Sequence, residues 1–143
     1  MKTTVISRLE LAFRLYDDLL AYLPEPALKE KLPGLPSNEL GHQLWCVIGA
    51  RHSYTKALKA GSWQGFECPL PGNQTGSSEA VLAALKATAQ ETLVFLQSGA
   101  AFPEPTLLEL LEHEIQHHGQ IIRYLYGLKL GVPDSWKKRY NLD

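Results

Sequence analysis

The sequence predicts an all-α protein built as a four-helix bundle. Three observations carry that reading. Four long segments repeat apolar residues at three- and four-residue spacing, the period of a buried helical face. Breaks rich in proline and glycine separate them. No stretch alternates apolar and polar residues as a half-buried strand would. At 143 residues the chain has room for one domain, 1–143, with a single core.

The first helix is predicted from about Thr4 to Tyr22, with Ile6, Leu9, Phe13, Tyr16, Leu19 and Leu20 on one face. Pro24 and Pro26 end it, because proline lacks the amide donor and restricts the residue before it. A short helical turn around Ala27–Leu32 precedes Pro33-Gly34-Leu35-Pro36. Ser37 is predicted to cap the second helix, its hydroxyl accepting from a free backbone N–H. That helix runs to about Ala60, stops at Gly61, and buries Leu40, Leu44, Val47, Tyr54 and Leu58.

The segment from Ser62 to Ser77 reads as a loop that packs down, since it carries Trp63, Phe66 and Leu70. Loops of this length without regular structure are uncommon and often functional. Ser78 is predicted to cap a third helix to about Gln97, with Glu79 in the first turn, where the helix dipole favours negative charge. Val81, Leu82, Leu85, Ala89, Leu93 and Leu96 give its apolar face, and Ser98-Gly99 ends it. The fourth helix is expected from about Thr106 to Leu130, stopped by Gly131 and Pro133. Residues 134–143, with Trp136 and Tyr140, are expected to lie against the bundle.

Composition removes several function classes. Lys plus Arg is 14 against 15 for Asp plus Glu, so no basic face is available for nucleic acid. No apolar run reaches the roughly 18 residues of a membrane span. The start, Met1-Lys2-Thr3-Thr4-Val5, lacks the apolar region of a signal peptide. Two cysteines, Cys46 and Cys68, are too few to staple a fold of this size. A reduced, cytoplasmic protein is the expectation.

The chemistry concentrates in His113-Glu114-Ile115-Gln116-His117-His118-Gly119-Gln120. His113 and His117 are one helical turn apart, on the line Leu110, His113, His117, Ile121, Tyr124, Leu128, and can grip one metal ion. Two imidazoles on an inward stripe are costly unless each is hydrogen-bonded or metal-bound. Satisfied core histidines are the alternative. His118 falls on a second apolar line with Leu107, Leu111, Ile115, Ile122 and Leu125. The stretch also spells His-Glu-x-x-His, the zinc-peptidase pattern with Glu114 as general base. That mechanism needs a further ligand, and neither histidine nor glutamate follows His118; Gln120 and Arg123 stand where the longer motif requires Gly and His.

Gly49-Ala50-Arg51-His52-Ser53-Tyr54 on the second helix, with His113-Glu-Ile-Gln-His117-His118-Gly119-Gln120-Ile121 on the fourth, resembles the DinB-like superfamily. The resemblance spans nearly the whole chain in element order. It implies an up-down-down-up four-helix bundle, often a homodimer, with a divalent metal, commonly zinc or nickel. One histidine of helix two and two of helix four hold that metal in the family. Its members include metal-dependent hydrolases and thiol-cofactor-dependent transferases and isomerases, so a small-molecule substrate or a low-molecular-weight thiol is implied. The helix-four ligands carry over to His113 and His117. Anchored on Tyr54, the helix-two ligand falls at Cys46 or Val47, and neither is histidine. Cys46 can bind zinc as a thiolate or serve as a small buried apolar residue. Val47 sits nearer the centre of the buried stripe, and His42, one turn before Cys46, is the other potential ligand. A metal-free dimeric binding or stress-associated bundle is the reading if no third ligand is present.

Eight further residues complete the expectations. Gln120 and Arg123 can orient an imidazole or bind an anionic substrate, with a solvated helix face as the plainer reading for Arg123. His52 is expected on the polar side with Lys56. Gly119 costs about 1 kcal/mol against Ala inside a helix, which a closely approaching helix would explain. Trp45, Trp63, Phe66 and Trp136 are expected to fill the core or line a pocket.

Overall fold

Helix and turn propensities along the chain resolve, in a computed structural model describing residues Met1–Asp143, into five α-helices and no strand. They are α1 (Lys2–Tyr22), α2 (Leu40–Ala60), α3 (Ser78–Gln97), α4 (Glu104–Gly127) and the short α5 (Asp134–Tyr140). Two 3₁₀ turns, Glu25–Lys29 and Gly72–Gln74, sit in the two long connections. No helix is long and apolar enough to cross a membrane.

The four long helices pack as a bundle in which α2 contacts both α3 and α4, and α1 contacts the same two. Named contacts fix the directions. Arg51 meets Leu85 while Thr55 meets Thr92, so α2 and α3 run the same way. Arg51 meets Glu114 while Gln43 meets His117, so α2 and α4 run oppositely. Tyr16 bonds the Glu114 carbonyl and Tyr22 the Leu130 carbonyl, so α1 follows α4. Two consecutive helices that run in parallel need a connection as long as the bundle. Residues 61–77 supply it, which explains the long loop.

The core falls into two clusters. Leu9, Phe13, Leu58, Leu96, Leu107 and Leu110 close one end. The larger cluster gathers Leu19, Leu44, Val47, Leu85, Ile121 and Trp136 toward the other. Full burial of such side chains stabilises the fold by about 1.5–3 kcal/mol each. The helices also bury polar groups, namely the Tyr16 hydroxyl, Arg51, Thr55, Thr88, Thr92 and Glu114.

Local details depart from the sequence expectation where hydroxyls found other partners. Ser37 does not cap α2; its Oγ accepts from the Leu32 amide and pins the Pro-rich turn, and α2 starts at Leu40 after Glu39. The cap of α3 is Ser77, whose Oγ accepts from the Ala80 amide, with Ser78 already helical. Helix α4 begins at Glu104, using Pro105 in its first turn, and ends at Gly127 rather than Leu130. Residues 134–140 form a helix that lays Trp136 into the core, its indole donating to the Leu15 carbonyl at 2.7 Å. Gly119 is exposed, and a Cβ there would meet nothing within 4 Å, so no close helix approach explains it. Packing requires two glycines of α2: a Cβ on Gly41 would run into the Thr75 and Leu28 carbonyl oxygens, and the Phe66 ring occupies the space a Cβ on Gly49 would fill.

Candidate metal centre

Helical spacing sets the ligands. On α4 the turn between His113 and His117 brings their rings to a 4.5 Å centroid separation. Antiparallel α2 delivers Cys46 opposite them. The Cys46 sulfur and one nitrogen of each histidine all lie within 4.8 Å of one another. Two imidazoles and a thiolate bound to one tetrahedral zinc ion would sit roughly 3.5 Å apart, so a small inward shift of side chains completes the set. This group can hold a metal ion.

The donors suit that role. The Nδ1–H of His117 donates to Gln43 Oε1 at 3.1 Å, which leaves Nε2 with its lone pair free. The Nδ1 of His113 is buried without a partner. Burial pushes the pKa of His117 down to about 4, with neighbouring His113 adding to the shift, and burial also lowers that of His113. Both rings are therefore neutral at pH 7, as metal ligands must be. Burial raises the pKa of the Cys46 thiol, so it is protonated until a cation displaces the proton. Cys46 and His113 remain half-buried. Three protein ligands with access to solvent match a site that keeps an open position.

Of the alternatives to Cys46, Val47 is wholly buried in the core, as the helical wheel implied. His42 stacks on Trp45 at 5.2 Å instead of joining the ligands. His52 lies 3.3 Å from Glu91, on the polar side with Lys56 as expected. Tyr54 lies 6.3 Å from His113, and Trp63 packs edge-on against Tyr54 at 5.2 Å. Trp63 and Phe66 do not fill the core: they remain 53% and 47% exposed. Phe66 does cover Gly49 and Trp45, so the loop packs down as expected. On the other side of the centre, Gln43 forms one wall of a polar cleft of about 490 Å³ that also holds Asn38, Gln120, Arg123 and Tyr124.

Glu114 is not placed to act as a general base. Its two carboxylate oxygens accept from Arg51 Nε at 2.7 Å and Nη2 at 3.0 Å, and both side chains are 0% exposed. Arg51 also donates to the Leu85 carbonyl and lies over the Phe13 ring at 4.2 Å. The pattern His-Glu-x-x-His is thus met in letters, with the glutamate committed to the core. Arg51 was the residue the sequence concealed. Burial of an arginine has no local signature, and the one available signal was a second charge, Glu114, beside an inward histidine.

His118 points away from the centre. Its Nδ1 shares a hydrogen bond with the Tyr140 hydroxyl at 2.5 Å, and its ring packs against Tyr16 and Trp136. Burial, with Arg51 and Arg139 adding positive charge nearby, pushes its pKa down to about 3.

Compared with protein-family models and with curated proteins, the sequence matches none.

Proposed function

We propose that the chain is a DinB-like metal-dependent enzyme of small molecules, a hydrolase or a thiol-dependent transferase. The observation that carries the reading is the convergence of Cys46, His113 and His117 from two antiparallel helices. The directions of the helices support the up-down-down-up arrangement, since α1 and α4 run one way and α2 and α3 the other. A bound zinc or nickel ion would lower the pKa of a water or thiol and so supply a nucleophile at neutral pH. Cys46, His113 and His117 hold that ion, and Gln43 fixes the His117 tautomer from behind. The cleft beyond Gln43 offers Asn38, Gln120 and Arg123 to a polar or anionic substrate.

Elemental analysis of untagged protein purified without chelator tests this. About one zinc or nickel ion per chain, lost in His113→Ala and Cys46→Ala, is the expected result. No metal, even after incubation with both ions, overturns it and leaves the metal-free dimeric binding bundle as the reading.

A further inference from the structure

Gly119 stands inside α4, where glycine weakens a helix relative to alanine, and the packing of its own chain gives nothing in return. It is exposed, and a Cβ there would meet nothing within 4 Å. A second backbone coming close would explain it. The surroundings show of what kind. At about 100° per residue, the side chains flanking Gly119 fall into two strips along α4. Leu108, Leu111, Ile115, Ile122 and Tyr126 lie on one side of the Gly119 line, with Leu108 42% and Tyr126 47% exposed. Glu112, Gln116 and Arg123, all exposed, lie on the other. Neither Glu112 nor Arg123 is paired with an opposite charge in this chain. His113 and His117 project from the far side of the helix, toward Cys46.

This face is complementary to itself in one orientation. A twofold axis running across α4 at Gly119 lays two copies of the helix antiparallel and keeps each strip on its own side, so apolar meets apolar and polar meets polar. Residues before Gly119 then come level with residues as far after it in the second copy. Ile122 falls within one residue of the level of the partner's Ile115, and Tyr126 within one residue of the partner's Leu111. Glu112 falls three residues, about 4.5 Å along the axis, from the level of the partner's Arg123, within reach of two long side chains on the same strip. The two Arg123 side chains stay eight residues, about 12 Å, apart along the axis. A parallel pairing would instead set Glu112 beside the partner's Glu112 and Arg123 beside the partner's Arg123, where like charges repel. At the centre Gly119 meets the partner's Gly119, and without Cβ atoms the two helices can approach to the short end of the usual packing distance.

We propose that this face of α4 binds a second copy of the chain, the two helices crossing antiparallel at Gly119 with Glu112 of each copy paired to Arg123 of the other. An unrelated apolar helix would cover Leu108, Ile115 and Tyr126 equally well, but would give no reason for the acid and the base to stand at matching levels on one strip. The pairing does not require an ion at Cys46, His113 and His117, which face the other way.

Sedimentation equilibrium of the full-length, untagged protein tests this. The parent is expected to associate reversibly across the micromolar range to about twice the 15.9 kDa of one chain. Gly119→Arg has open space within its own chain, so it should keep its helical circular dichroism and become monomeric. Glu112→Arg loses two symmetry-related pairs and brings like charges together, and should weaken association about tenfold or more. Combining Glu112→Arg with Arg123→Glu in one chain rebuilds both pairs with the signs exchanged and should recover most of that loss. The proposal is overturned if the parent stays monomeric, if Gly119→Arg associates like the parent, or if the doubly reversed chain associates no better than Glu112→Arg.

Discussion

Arg51 and Glu114 face one another across the middle of the bundle through two hydrogen bonds, at 2.7 and 3.0 Å, with both side chains wholly buried. The geometry satisfies both groups, and the Leu85 carbonyl takes a third guanidinium hydrogen. Removing one partner strands the other in the core.

Arg51→Met and Glu114→Gln should therefore each lower stability by about 3–5 kcal/mol in urea unfolding. Arg51→Lys should fail to rescue, since an ammonium cannot present the same paired donors. Metal content of folded Glu114→Gln protein should stay at the parent level. A stable Glu114→Gln variant that had lost only an activity would instead return Glu114 to catalysis.

Gln43→Ala should reduce metal affinity by about 10–100-fold without emptying the site at saturating ion, because Gln43 orients His117 rather than binding metal. Competition with a chromogenic chelator reads this directly. Unchanged affinity would mean that the Gln43 contact is ornamental.

Acid should destabilise the protein early. His117 and His118 have folded pKa values near 4 and 3, both below the ordinary 6.5 of an unfolded chain. The unfolded state then binds more protons, so the stability contributed by the neutral rings is full above about pH 6.5 and is lost as pH falls toward those values. The slope approaches about 1.4 kcal/mol per pH unit for each ring. In metal-free protein, urea midpoints between pH 7 and 4.5 should show it, and His118→Phe should reduce the slope, leaving the part due to His117 and His113. A flat profile would contradict the burial argument.

Gly49→Ala should loosen the segment 61–77. Alanine favours a helix by about 1 kcal/mol over glycine, but here its methyl displaces the Phe66 ring. Proteolysis within the loop should accelerate in Gly49→Ala, and the same change made in Phe66→Ala should stabilise instead. Equal effects in both backgrounds would show that the ring is not what Gly49 admits.

Much of the fold was legible because periodicity reports burial directly. The lines Leu40–Leu44–Val47 and Leu110–His117–Ile121 in the sequence are core positions in the structure. Caps were less legible: serines at 37, 77 and 78 look alike in a sequence, and which hydroxyl meets a free amide depends on how the preceding connection delivers the chain to its helix. The helix-four half of the candidate site was readable from two histidines one turn apart. Its helix-two half could only be narrowed to Cys46 or His42, because a pairing between helices depends on rotation and register that a single strand of text does not carry. The burial of Arg51 left only one trace, the charge of Glu114 beside an inward histidine, because its partner lies on another helix.

The segment from His113 to His118 faces three ways at once: toward Cys46 on α2, with which it can hold a metal ion, toward a guanidinium in the core, and into an aromatic cage under α5. Few of its letters are free to change independently. A descendant that abandoned the ion would still need Glu114 to balance Arg51 and His118 to fill its cage. The motif can thus outlive its chemistry, and its presence in a sequence testifies first to architecture and only second to catalysis.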